Sequence, residues 1–320
     1  MKSVGLTAYS IYVRDDSDQN LPLHDIYEGQ SLIDVLVNNA TLSLNKYEND
    51  RKGETVFKYD KIIPETVSNI GGQELYEILY FCVKTGDYGE ESEIVDSETG
   101  TISHIKNTKE ATVMPFGCSI FIPSGQTTMG VIVFQSLGRL GITTLMKKHI
   151  DAAIKFVNSN LRLVCYPVLP EQCAKRLFKT GILKRVRLIR FDIPDDAAER
   201  YGMDRGVKGV QEERVIRSPQ GFVKNKFSAI EEFFAGTRKI EDVVELQDFK
   251  IDDIKFEFNN GKKTKTISLN RIEDVVLTED VTNQVSLING QPKFDSLCKV
   301  MKETGAYYLR AKGQIIEEHE

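Results

Sequence analysis

The chain has 320 residues, of which 41% are apolar and 28% charged, so it can bury a core of its own without disulfides or metals. Its formal net charge of −5 gives no global sign of a nucleic-acid or membrane partner, and no apolar run approaches the roughly 20 residues that a membrane helix needs. Five scattered cysteines without a CxxC pair, and an N-terminus without a secretory cleavage pattern, lead to the expectation of a reduced, cytoplasmic protein.

Residues 4–13, "VGLTAYSIYV", are rich in β-branched and aromatic side chains and predict a strand. Ser31 with Asp34 three residues on predicts a capped short helix through "SLIDVLVNN". "ETVFKYDKII" from Glu54 alternates and predicts another strand. "GGQELYEILYFCVKTGDYG" from Gly71 fits a helix or a strand, because its apolar run satisfies both periods. Residues 86–110 are polar and acidic, with turn residues, and predict an exposed loop or hairpin.

"MPFGCSIFIPSGQTTMGVIVFQSLG", Met114 to Gly138, places two apolar runs around the turn-forming "PSGQTT" and predicts a buried antiparallel hairpin. From Ile142 the spacing predicts an amphipathic helix. Leu145, Met146, His149, Ile150, Ala153, Ile154 and Val157 share its apolar face, with Lys147, Lys148, Asp151 and Lys155 opposite. "LRLVCYPVL" from Leu161 predicts a strand. Residues 170–180 predict a short helix with Pro170 at its start and Gly181 just past its end.

"LKRVRLIRFDI" then reads as a long basic strand in an acidic chain. Its apolar residues sit at even positions (Val186, Leu188) and then at odd ones (Ile189, Phe191, Ile193). A β-bulge near Leu188–Ile189 is therefore expected, turning Arg185, Arg187 and Arg190 together toward solvent. "FSAIEEFFAG" offers a capping box at Ser228 and Glu231 and closes at Gly236. "DDIKFEF", "NNGKK" and "TKTISLNRI" predict a hairpin through an Asn-Gly turn. "FDSLCKVMKETG" predicts a last helix, stopped by Gly305. The fold class expected is α+β: antiparallel hairpins with packed helices, and a smaller C-terminal hairpin and helix region. The division expected is a main domain over 1–236 and a C-terminal region over 237–320.

Charge is uneven along the chain. From Lys175 to Lys226 there are 14 Lys or Arg against 7 Asp or Glu, a net of +7, so the remainder carries −12. Phosphate contact requires little beyond reachable cations. The candidate nucleic-acid-binding residues are Lys175, Arg176 and Lys179 on the short helix, Lys184, Arg185, Arg187 and Arg190 on the strand, and Lys208, Arg214, Arg217, Lys224 and Lys226 in the glycine-rich stretch that follows. The competing explanation is an ordinary solvated or locally paired charge run, since Asp192, Asp195, Asp196, Glu199, Asp204, Glu212 and Glu213 lie close in sequence.

Catalytic patterns are sparse. The four histidines show no metal spacing, and His149 on an apolar helix face predicts a core residue. "IPSGQTT" lacks the lysine of a phosphate loop, and no GxSxG occurs. In "DDIKFEF", Asp253, Lys255 and Glu257 share one strand face, expected to be exposed to solvent. Nuclease chemistry there is the weaker alternative. No catalytic residue, metal site or cofactor is predicted.

Two stretches carry a resemblance. "SIFIPSGQTTMGVIVFQSLGRLGITTLMKKHI" looks like a hairpin followed by a helix. "RLVCYPVLPEQCAKRLFKTGILKRVRLIRFDIP" looks like a strand, a short basic helix, a glycine turn and a long basic strand. In that order they resemble the RexA-type phage exclusion proteins, over about residues 1–195 and not in the acidic C-terminal third. The resemblance implies a cytoplasmic, non-enzymatic, sequence-independent DNA binder, often dimeric, that acts in phage exclusion. The function expected is accordingly nucleic-acid binding, DNA favoured over RNA, with self-association or a partner protein and no membrane insertion. A protein–protein subunit of a defence assembly and a nuclease effector are the alternatives.

Overall fold

The computed structural model describes residues 2–50, 54–168, 182–191, 211–218, 229, 232, 237–240, 251–260, 263–268 and 278–315. The chain forms two compact units: Met1–Pro167 with Val276–Glu320, and Val168–Val275. The second unit is thus inserted into the sequence of the first, where composition suggests a single cut at 236. The fold is mixed α+β with antiparallel sheets, and most of the described regular structure is strand.

The first unit is built on a nine-stranded sheet. Its strands include β1 (Val4–Arg14), β2 (Glu48–Asp50), β3 (Thr55–Ser68), β4 (Glu74–Asp87), β7 (Met114–Pro123), β8 (Gly130–Leu137), β9 (Leu140–Gly141), β10 (Arg162–Pro167) and β15 (Thr278–Asp280). The order is β10-β1-β8-β7-β4-β3-β2, with β9 on β8 and β15 on β1. The "PSGQTT" hairpin is present as β7–β8, with Cys118 opposite Phe134 and Phe121 opposite Val131. The ambiguous stretch after Gly71 is a strand: all of β4 lies in the sheet between β3 and β7, where Leu79, Phe81 and Val83 are buried. Strand pairing on both edges, which no local period reports, decides between the two structures. The acidic stretch after Gly86 contains a hairpin of β5 (Ser92–Val95) and β6 (Ile102–Lys106), tightened by the Asp96 carboxylate, which accepts from the Glu98 and Thr99 amides.

Helices cover both faces of this sheet. Helix α1 (Leu32–Leu42) starts with the expected capping box: the Asp34 amide donates to Ser31 Oγ at 3.0 Å and the Ser31 amide to the Asp34 carboxylate at 3.1 Å. Helix α2 (Thr143–Val157) buries Met146, Ile150, Ala153 and Ile154, as its periodicity predicts. His149 stacks on Phe57 with ring centroids 3.9 Å apart, and burial lowers its pKa. Lys147, expected on the polar side, instead lays its ammonium 3.5 Å from the Tyr9 ring centroid. Desolvation there lowers its pKa.

Helix α3 (Phe294–Ala311) packs on the opposite face, and here the expectation is corrected. Gly305 does not stop the helix. It lies inside it, and a Cβ built at Gly305 would stand 2.3 Å from the Phe121 ring. At Gly117 of β7 the same construction meets Leu297 at 2.5 Å. The two glycines therefore mark where helix and sheet approach most closely, a packing use that sequence alone does not separate from a C-cap. No helix among the described residues is long and apolar enough to cross a membrane.

Candidate nucleic-acid interface

The basic strand is β11 (Ile182–Phe191), a central strand of a four-stranded antiparallel sheet in the second unit. The sheet's other strands are β12 (Gln211–Arg217), β13 (Asp253–Asn260) and β14 (Lys263–Ser268), in the order β12-β11-β13-β14. The Asn-Gly hairpin is present as β13–β14, with Asn260 opposite Lys263.

The register settles how β11 uses its two apolar sets. Against β12 it runs without interruption from Arg185 opposite Arg217 to Phe191 opposite Gln211. Against β13 the one irregularity lies between Leu183 and Arg185. The bulge expected near Leu188–Ile189 is therefore not there, and Arg190 does not join Arg185 and Arg187 on one side. Val186 and Leu188 face one way with Ile254, Phe256 and Ile267, all buried. Ile189 faces the other way and is also buried. A strand with buried apolar side chains on both faces has no need to keep a strict alternation.

The second face is polar, and it is a network of ion pairs. Arg185 donates to Glu257 Oε1 at 2.9 Å, directly across the sheet. Arg187, two residues on, reaches the same oxygen at 2.5 Å and Glu213 at 3.5 Å. Glu257 is only 7% exposed. Asp253, 4% exposed, has Ser268 Oγ 2.8 Å from one carboxylate oxygen. On the opposite face Glu212 lies between Arg190 at 3.9 Å and Arg214 at 3.5 Å. The arginines of β11 are thus not an open platform. A carboxylate with two guanidinium partners is the arrangement that lets charge sit in a partly buried sheet face, because removing any member would strand the others.

The expectation that Asp253, Lys255 and Glu257 form a solvent-exposed face is also corrected: both carboxylates are buried, with Lys255 half-buried between them. Among the described residues no group of three or more His, Cys, Asp or Glu side chains is placed to hold a metal ion. Lys184 is half-buried on β11, and Arg217 is exposed on β12. Lys175, Arg176, Lys179, Lys208, Lys224 and Lys226 lie outside the described residues, as do the expected helices at 170–180 and from Ser228 to Gly236, apart from Ala229 and Glu232. Glu257, expected on an exposed face, is instead the partner of Arg185, 72 residues earlier in the chain. The available signal was the pair of alternating strands, each with charges at every second position, which cross-strand pairing brings into register.

No protein-family model matches the chain, and the search of curated proteins found none with significant sequence similarity to it.

Proposed function

We propose that this chain is a non-enzymatic, sequence-independent nucleic-acid-binding protein, DNA favoured over RNA, that works in the cytoplasm in phage exclusion or anti-phage defence. The observation that carries the reading is the charge division: +7 over 175–226 against −12 elsewhere. The ion pairs of β11 revise which cations do the work. Arg185, Arg187, Arg190 and Arg214 hold the sheet together, and phosphate contact falls to Lys175, Arg176, Lys179, Lys208, Lys224 and Lys226 in the segments before and after it. The resemblance to RexA-type proteins supports the biological setting and assigns no residue. Base-edge readout is not part of the proposal, because no recognition element is identified.

Fluorescence anisotropy with random-sequence duplex and single strands tests the reading. Binding at low ionic strength should fall linearly in log–log form with salt, with a slope of about −0.9 per phosphate neutralised on duplex. Absence of binding to either at low salt refutes it.

One observation favours the second reading, a subunit that docks on another protein. The β5–β6 hairpin leaves Ile94, Val95, Ile102 and Ile105 each about half exposed, beside Glu90, Glu91, Glu93, Asp96 and Glu98. Loss of a co-purifying partner on changing those four apolar residues to Ser would support it.

A further inference from the structure

We infer that β12 is a self-complementary edge through which two copies of the chain pair, joining their four-stranded sheets into one continuous sheet. Three observations lead there. Among the described residues no strand pairs with the outer edge of β12, toward which alternate residues of this seven-residue strand turn their backbone donors and acceptors. Its apolar side chains, Val215 at 42% and Ile216 at 43%, are exposed, one on each face. Its charge is polarised: Glu212 and Glu213 precede, while Arg214 and Arg217 follow.

The polarity selects the occupant. A strand that is acidic at one end and basic at the other complements itself when two copies run antiparallel, which is the geometry a two-fold axis imposes. The charges also select the register. With the axis at Arg214, two guanidinium groups would stand directly opposed, which is destabilising. With the axis at Val215, Glu213 stands opposite the partner's Arg217, twice over, and the two Val215 side chains meet at the centre. All of these residues lie on the face that carries Arg185 and Arg187, because Arg217 is opposite Arg185 and Val215 opposite Arg187 within one chain. The ladder of alternating charge, Glu257–Arg187–Glu213, would thus continue into the partner's Arg217. Within the chain Glu213 is only loosely engaged, at 3.5 Å from Arg187, and can take a second guanidinium. This assigns Arg217 to the partner copy rather than to phosphate, and it does not rest on the nucleic-acid reading.

Light scattering on the full chain, without nucleic acid, tests the inference with two charge reversals and their mixture. The wild-type chain should have twice the mass of one chain. Glu213→Arg alone places two arginines opposite each other, and Arg217→Glu alone two glutamates, so each variant should have the mass of one chain at the same concentration. Mixed in equal amounts the two variants should recover the dimer, since every opposed pair is then of unlike charge. Glu213→Arg leaves Arg187 its closer partner Glu257, and unchanged circular dichroism of each variant confirms that loss of assembly is not loss of fold. A wild-type chain that is monomeric throughout, a dimer that survives both reversals, or folded monomeric variants that fail to pair when mixed would each overturn the proposal.

Discussion

Glu257 is the residue on which the polar face of the second unit turns. One carboxylate, nearly closed off from water, serves two guanidinium groups that approach from the neighbouring strand. Glu257→Gln keeps the volume and removes the charge, which leaves Arg185 and Arg187 close together without it. The expected loss of stability is on the order of 2 kcal/mol, moderated because both arginines keep part of their surface in water. Urea denaturation of the variant against wild type measures it, and an unchanged midpoint would contradict the role given to Glu257. The arginines and their nearby partners Glu212 and Glu213 were legible in the sequence, but the pairing with Glu257 was not. A run of cations looks the same along the chain whether its carboxylates are absent or lie on the next strand.

His149 shows the same scale in the first unit. Its ring is stacked on Phe57, and desolvation lowers its pKa against the opposing pull of Glu48 and Asp50, while Lys148 lowers it further. A depressed folded value means that the unfolded chain takes up the proton first. The contribution to stability is therefore complete above the ordinary imidazole value of about 6.5, and it is lost as pH falls below that toward the folded value. His149→Phe, which retains the stacking, should flatten the fall in melting temperature between neutral and mildly acidic pH. Parallel pH profiles would count against a desolvated, neutral ring. That His149 lies on the apolar side of α2 followed from helical spacing alone, although in the fold its ring is half-buried.

Among the elements, those defined by local chemistry were legible and those defined by pairing were not. The Ser31–Asp34 box, the apolar face of α2 and the Asn-Gly hairpin each follow from a few neighbouring residues. The strand β4 and the unbroken register of β11 on β12 depend on what lies beside them, as does the length of α3. Gly305 makes the point most sharply: read locally it ends a helix, whereas in the fold it opens room for Phe121. Gly305→Ala would raise helix propensity by about 1 kcal/mol, yet it places a methyl group into the ring. The clash should win, giving a net loss on the order of 2 kcal/mol in thermal or urea unfolding. A stabilised variant would show that α3 can move off the sheet at little cost.

At the scale of the whole molecule, the chain leaves its first unit after β10, forms the second, and returns to complete the first with β15 and α3. A cut placed by composition could not anticipate this, because β15 and α3 read as an ordinary tail until β15 is seen paired to β1. The basic stretch 175–226 lies within the second unit, and its strand residues Arg185, Arg187, Arg190 and Arg214 are paired there with Glu212, Glu213 and Glu257. The nucleic-acid reading therefore stands on the lysines of the flanking segments. Its most direct test is duplex binding, as a function of salt, by a chain carrying Lys224→Glu and Lys226→Glu. The account predicts weaker binding at low salt and a shallower slope than wild type, by about 0.9 for each phosphate no longer neutralised. Equal affinity and equal slope for the two proteins would contradict it.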